Sequence, residues 1–274
     1  MKKIIFLLLL CLSVNLYSQE KDSLLEKGNE QMHQKNFGVA VKYFAEYLKK
    51  NPDDALVHNS IGAAYIELKD YNQALINFDR AIYLDSNYAR AYSSRGAVYV
   101  LRGDYEKAFD DLNKAISLNP KEIIAYTSLA ALYAINNNID KCLETFQRAL
   151  EQDNNSLDVY WNRGAVYLDL NQYDKALEDV NRAIEIDPSI AKSFYFRGTL
   201  YKYLKRYDKA MLDYEKALQL DPNDGEIYVR RGILYLVIGE YKKALADMDY
   251  GYKLNPVLFQ QTKNYYDEAK QKAK

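Results

Sequence analysis

Four arginines in this chain each have an aspartate sixteen residues ahead: Arg95 with Asp111, Arg163 with Asp179, Arg197 with Asp213, and Arg231 with Asp247. A guanidinium facing a carboxylate makes a two-pronged ion pair, which can brace a fold or serve in gripping an anion. Three further positions, related to these by a 34-residue step, lack both members: Lys27 with Tyr43, Ile61 with Asn77, and Leu129 with Thr145. Pairing across neighbouring repeats leaves Asp111 opposite Leu129 and Arg95 opposite Asn77, whereas pairing within a repeat fits all seven. The four pairs are therefore read as structural braces.

Other chemistry finds no foothold. There are two histidines, His33 and His58, and two cysteines, Cys11 and Cys142. Metal binding needs clustered ligands, and no HExxH, CxxC or histidine-rich tract is present. A Gly-rich phosphate loop and a Ser-His-Asp or Cys-His arrangement are also missing. No catalytic residue, metal site or cofactor is expected, and the chain reads as non-enzymatic. Basic and acidic residues balance at 37 and 38 with no basic stripe, which argues against a nucleic-acid partner.

The elements that carry these residues repeat every 34 positions. A small residue recurs at Gly28, Gly62, Gly96, Ala130, Gly164, Gly198 and Gly232, and a second at Ala40, Ala74, Ala108, Cys142, Ala176, Ala210 and Ala244. Such a period marks a stacked array in which each unit touches its neighbours. The units are 21–54, 55–88, 89–122, 123–156, 157–190, 191–224 and 225–258, each read as two amphipathic helices. In the third, Ala89 to Leu101 and Tyr105 to Leu118 are helices around a Gly103-Asp104 turn, and Asn119-Pro120 ends the second. The small pair lets the two helices approach closely. Of 27 tyrosines, fifteen sit at three fixed repeat positions, as packing residues do. The first unit departs from the pattern with Gln31 and with Tyr47 in place of alanine, as suits an end with an exposed flank. The fourth departs with Ala130, Ile139, Cys142 and Asn136-Asn137-Asn138 at its turn. Residues 259–274 read as a capping helix, with Phe259, Tyr265, Tyr266 and Ala269 covering the seventh unit.

These residues resemble the tetratricopeptide repeat. Unit five supplies Tyr160, Arg163-Gly164, Tyr167, Ala176, Val180, Ala183 and Pro188; unit two supplies His58, Ile61-Gly62, Tyr65, Ala74, Phe78 and Ala81. The resemblance spans 21–258. It implies an all-α, right-handed superhelical solenoid of seven helix-turn-helix repeats, whose first helices line a concave groove for a peptide or partner protein. Carried over position by position, that lining is small and weakly polar in units three and four (Ser93, Ser94, Ala97, Thr127, Ser128, Ala131). It is richer further on, with Trp161, Asn162, Lys192, Tyr195, Phe196 and Tyr203 in units five and six, and Glu226 and Arg230 in unit seven. The expected binding groove centres on the aromatics Trp161, Tyr195 and Phe196. Leu25, Ser60 and Phe196 stand where a terminal-carboxylate clamp needs polar or basic groups, so that mode is not expected.

Residues 1–18 read as a secretory signal peptide: Met1-Lys2-Lys3 is basic, Ile4 to Val14 is apolar and too short to span a bilayer comfortably, and Ser18 offers a cleavage point. The mature chain, 19–274, is expected in the periplasm of a bacterium or outside the cell. A lipid anchor on Cys11, giving an outer-membrane lipoprotein and envelope assembly factor, is the alternative localisation and the one route to a membrane. A glycan- or peptidoglycan-binding protein using the exposed aromatics is the alternative function to a protein-binding scaffold.

Overall fold

A computed structural model of the chain describes residues 23–274; the expected leader and Cys11 lie outside them. Every regular element among the described residues is an α-helix. The helices fall into two compact units dividing between Gln152 and Asp153. Unit one holds α1, described over 23–33, then α2 (Phe37–Lys50), α3 (Ala55–Glu67), α4 (Tyr71–Leu84), α5 (Ala89–Arg102), α6 (Tyr105–Leu118), α7 (Ile123–Ile135) and α8 (Ile139–Gln152). Unit two holds α9 (Leu157–Asp169), α10 (Tyr173–Ile186), α11 (Ala191–Tyr203), α12 (Tyr207–Leu220), α13 (Gly225–Val237), α14 (Tyr241–Leu254) and α15 (Val257–Lys272). Odd and even helices up to α14 are the first and second helices of successive repeats.

The turn inside each repeat is closed by one left-handed residue. Lys35, Lys69, Asn137, Asn171 and Lys205 adopt φ between 56° and 60°, and Gly103 and Gly239 stand at 79° and 86° in the same column. In repeat two the following amide, Asp70 N–H, returns to Tyr65 O at 2.9 Å, which satisfies a carbonyl the helix end would otherwise orphan. Asp70 then caps α4, its Oδ1 accepting from the Gln73 amide at 3.1 Å. Five of the second helices end on an extended residue. Asn119, Asp187, Asp221 and Asn255 do so before a proline, and Asp85 does so before Ser86, so this geometry does not need proline.

Within a repeat the two helices meet where the first has no side chain. A Cβ on Gly62 would lie 2.5 Å from the Phe78 ring, on Gly28 2.3 Å from Phe44, and on Gly232 2.9 Å from Met248. The bulky partner stands sixteen positions after the glycine and is fully buried in all three cases. Within each unit, the second helix of one repeat packs with the first of the next. The core is therefore a string of clusters: Phe44 with Val57 and Ile61, Leu112 with Ala125 and Leu129, Tyr214 with Ile227 and Leu234.

At the C-terminus α15 begins at Val257, two residues earlier than the pattern suggests. It buries Leu258, Thr262 and Ala269, with Tyr266 against the cluster of Val229, Ile233 and Met248. Tyr265 points outward at 39 % exposure, so it does not cover the last repeat. Tyr47 is also buried rather than on an open flank: its ring belongs to the core cluster with Phe44, Val57 and Ile61, and its hydroxyl donates to Asp54 Oδ2 at 2.8 Å in the turn before α3.

Repeat two thus has one glycine that must stay and one left-handed lysine that need not. Gly62→Ala is expected to cost about 1–3 kcal/mol by overpacking against Phe78. Lys69→Gly is expected to gain up to about 1 kcal/mol by relieving a left-handed L-residue. Urea midpoints of the helical signal should move in opposite directions for the two variants.

Candidate functional site

Each of the four Arg–Asp pairs lies inside a single repeat. Arg95 donates through Nε and Nη2 to the two carboxylate oxygens of Asp111, both at 2.7 Å. Arg163 grips Asp179 at 2.9 and 2.6 Å, Arg197 grips Asp213 at 2.8 Å twice, and Arg231 grips Asp247 at 2.7 and 3.0 Å. Asp111, Asp179 and Asp213 are buried. Each arginine also lies between two rings of its own helix, three residues before and four after. For Arg95 these are Tyr92 at 5.7 Å and Tyr99 at 5.9 Å; for Arg197 they are Phe194 at 5.5 Å and Tyr201 at 5.9 Å.

Repeat comparison missed a third contact. Arg95 Nη1 reaches back to Asp79 Oδ1 at 2.6 Å, and Arg197 Nη1 to Asn181 Oδ1 at 2.9 Å, both on the second helix of the preceding repeat. One guanidinium therefore ties three helices. Hydrogen bonding to Asp111 comes first among the causes that raise Arg95, opposed by burial; the bond to Asp213 does the same for Arg197. In the pair of repeat five, burial raises Asp179 above its ordinary 3.8 although Arg163 pulls the other way.

In unit two, four of the residues expected to line a groove, Trp161, Lys192, Tyr195 and Arg230, take part in a ladder of contacts over three successive first helices. Trp161 on α9 donates its indole N–H to the buried Ser193 Oγ on α11 at 3.0 Å, and Lys192 Nζ sits 4.2 Å from the Trp161 ring centre. Tyr195 on α11 donates to Glu226 Oε1 on α13 at 2.8 Å, and Arg230 Nη2 reaches the same oxygen at 3.0 Å. Burial first, then Glu226 against Arg230, holds the Tyr195 phenol well above its usual range, so it stays a donor. Trp161, Tyr195 and Arg230 are half-buried, while Asn162 and Lys192 are exposed. Tyr203, half exposed at the end of α11, stacks on Tyr173 at 5.7 Å.

Phe196 is not part of this surface. It is 9 % exposed and packs with Ala176, Leu177, Val180 and Leu200, its ring 3.0 Å from where a Gly164 Cβ would be. The reason is a compensation visible in the columns. The residue opposite Gly164 is the small Val180, where other repeats have Phe44, Phe78, Leu112, Phe146, Tyr214 and Met248. Phe196 drops into the space that Val180 leaves. Ser193 went unnoticed, although its column is otherwise Val57, Ala91, Ala125, Val159 and Ile227 after the first repeat's Ser23, so a hydroxyl there was a signal. Cys142 is fully buried and its thiol is pushed up to about 11 by burial, which leaves it unreactive. Among the described residues no group of three or more His, Cys, Asp or Glu is placed to hold a metal.

Profiles of the tetratricopeptide repeat match residues 89–122, 123–156, 158–190, 191–224 and 213–246, and a TPR repeat profile matches 62–103. Together they cover more than half of the sequence, and the chain belongs to the tetratricopeptide repeat family. Over 69 residues it is 32% identical to the Hsp70-Hsp90 organizing protein of Triticum aestivum, a stretch that is 25% of this chain and 12% of that protein. The chain thus matches only about an eighth of that relative's length. Its fold is similar to a crystal structure of a tetratricopeptide repeat protein from Parabacteroides merdae, with TM-score 0.64 and 21% identity, covering 92% of this chain and 99% of that one. It is also similar to a chain of the APC/C hetero-tetramer Cut9-Hcn1, with TM-score 0.68 and 17% identity, covering 92% and 46%. Proteins of this family mediate protein–protein interaction, and the fold is generally non-catalytic.

A double-mutant cycle at Arg197 and Asp213 is expected to give a coupling of about 1.5–3 kcal/mol, with Asp213→Ala alone costing about 3 kcal/mol or more. Asp179 carries a pH signature of opposite sign to the usual salt-bridged carboxylate. Because its folded-state value is raised, the stability it contributes is present below pH 3.8 and is lost as pH climbs through the raised value. Wild type should therefore lose stability relative to Asp179→Asn on going from pH 3 to neutrality, measured by urea titration at each pH.

Proposed function

We propose that this chain is a non-catalytic scaffold of the bacterial envelope that binds a peptide or partner protein on the first-helix face of unit two. The observation that carries this reading is the ladder Trp161–Ser193, Lys192 over Trp161, and Tyr195–Glu226–Arg230. It fixes two half-exposed aromatics and two cations in set orientations across three repeats. Large aromatics and arginine held rigid before binding are the usual make-up of interface hot spots, because little rotamer freedom is left to lose. Kinship with a protein named for organising Hsp70 and Hsp90 supports the class of activity. Phe196, being core, has no place in the contact surface, and Tyr203 lies to one side on Tyr173.

Export rests on the layout of residues 1–18, and the reading expects cleavage after Ser18. No helix among the described residues is long and apolar enough to cross a membrane. Intact mass of the chain recovered from envelopes tests this: a first residue of Gln19 supports export, acyl chains on Cys11 move the protein to a lipid anchor, and an intact Met1 removes the export reading.

Affinity capture from detergent-solubilised envelopes tests the groove. Trp161→Ala combined with Lys192→Glu should retain helicity and weaken the captured partner about thirtyfold or more. A partner held equally by wild type and variant displaces the site from this face.

A further inference from the structure

In unit two one lysine stands where its column is otherwise apolar. Lys202, in the last turn of α11, takes the place held by Met32, Ile66, Val100, Ala134, Leu168 and Leu236 in the other repeats. It follows Tyr195 by seven residues and so shares that residue's face of the helix. Leu236 in this column is buried, and Lys202 is half-buried.

The charge on Lys202 is held in place without being answered. Its Nζ sits 4.8 Å from the centre of the Tyr203 ring, and that ring is stacked on Tyr173. Among the described residues no carboxylate forms an ion pair with it. Burial first, and then the neighbouring Arg230, pull its ammonium below the ordinary lysine range. Arg230 is better served, since its Nη2 meets Glu226 Oε1 at 3.0 Å. That oxygen also accepts from Tyr195, so the carboxylate nearest this spot is committed. The carbonyls closing α11 favour a cation in that last turn, yet a helix end gives less than a hydrogen-bonded counter-ion.

A half-buried cation with no counter-ion calls for an anion from outside the chain. The balance of charge says which kind. Glu226 offsets Arg230, and the surplus at Lys202 matches one carboxylate. A phosphoryl group would bring about −1.5 to −2 and would also face Glu226. Lys192 cannot share the same acid, because it stands ten residues earlier, about 15 Å along the helix axis. A chain-terminal carboxylate fits less well, since Phe196 of the same helix is core where a clamp for one needs a polar group. We propose that the bound partner presents the side-chain carboxylate of an aspartate or glutamate to Lys202 beside Arg230, so that the groove of unit two selects an acidic segment of a protein. This inference rests on the groove reading above and narrows it to one class of partner.

Binding of end-blocked peptides to the full chain, followed by the fluorescence of Trp161, the sole tryptophan, tests it. Acetyl-hexaglutamate amide should bind at least about tenfold more tightly than acetyl-hexaglutamine amide. Lys202→Met should remove most of that difference, and Lys202→Arg should keep it. Methionine is the residue of repeat one at this position, so Lys202→Met should hold its thermal midpoint. With hexaglutamate bound, the Lys202 ammonium, followed by NMR of its side chain, should titrate at higher pH than in the free chain. The proposal is overturned if the glutamate and glutamine peptides bind alike, or if Lys202→Met binds hexaglutamate as well as wild type. It is equally overturned if hexaglutamine carrying a free C-terminal carboxylate or one phosphoserine binds more tightly than the blocked glutamate peptide, which would make the ligand a chain end or a phosphopeptide. Envelope capture separates this failure from that of the groove. A partner lost by the Trp161→Ala, Lys192→Glu variant but kept by Lys202→Met overturns the acidic partner alone, whereas a partner kept by both removes the groove and this inference with it.

Discussion

The two helices of a repeat touch where one of them has no side chain. At Gly28, Gly62 and Gly232 the space a methyl would take is already held by a ring or a methionine from the second helix. This close approach sets the angle at which the second helix leaves, and so decides which of its residues meet the next repeat. Clusters such as Phe44 with Val57 and Ile61 follow from it. The Arg–Asp braces depend on it as well. A guanidinium can hold a carboxylate at 2.6–3.0 Å across two helices only when the backbones beside it are this near.

Unit two shows how the constraint redistributes when one member changes. Val180 is too small to fill the space opposite Gly164, and a phenylalanine from the next repeat moves in. The swap takes Phe196 away from the surface and leaves Trp161 and Tyr195 as its half-buried aromatics. Ser193 and Glu226 then fix the polar ends of those two rings. A core adjustment in one repeat thereby shapes the exposed face of three.

The fold was legible because period and register are one-dimensional facts: a 34-residue step with glycine and alanine in phase leaves room for no other architecture. The arginines and aspartates could be nominated for the same reason, since they come and go together down the columns. What stayed hidden involves departures within a column. Phe196 stands in a groove column, and only the smallness of Val180, one repeat earlier, marks it for the core. The bonds from Arg95 to Asp79 and from Arg197 to Asn181 join the same two columns, sixteen positions apart, but the acceptor is a carboxylate in one and an amide in the other, so no charge travels with the arginine to mark them. Tyr47 looked like an end residue because its hydrogen bond to Asp54 joins two non-equivalent positions.

The stability of a repeat array is a sum of each unit's own stability and of its joints to its neighbours, so units open together only where a joint couples them. An arginine that holds its own repeat and the one before it does that. Peeling the second helix of repeat six away would leave Arg197 half-buried without its carboxylate, an expense that a purely apolar joint does not incur. Repeats one, two and four lack such a brace. Melting in this protein should therefore advance in uneven strides, running easily through the unbraced repeats and halting at each three-helix clasp.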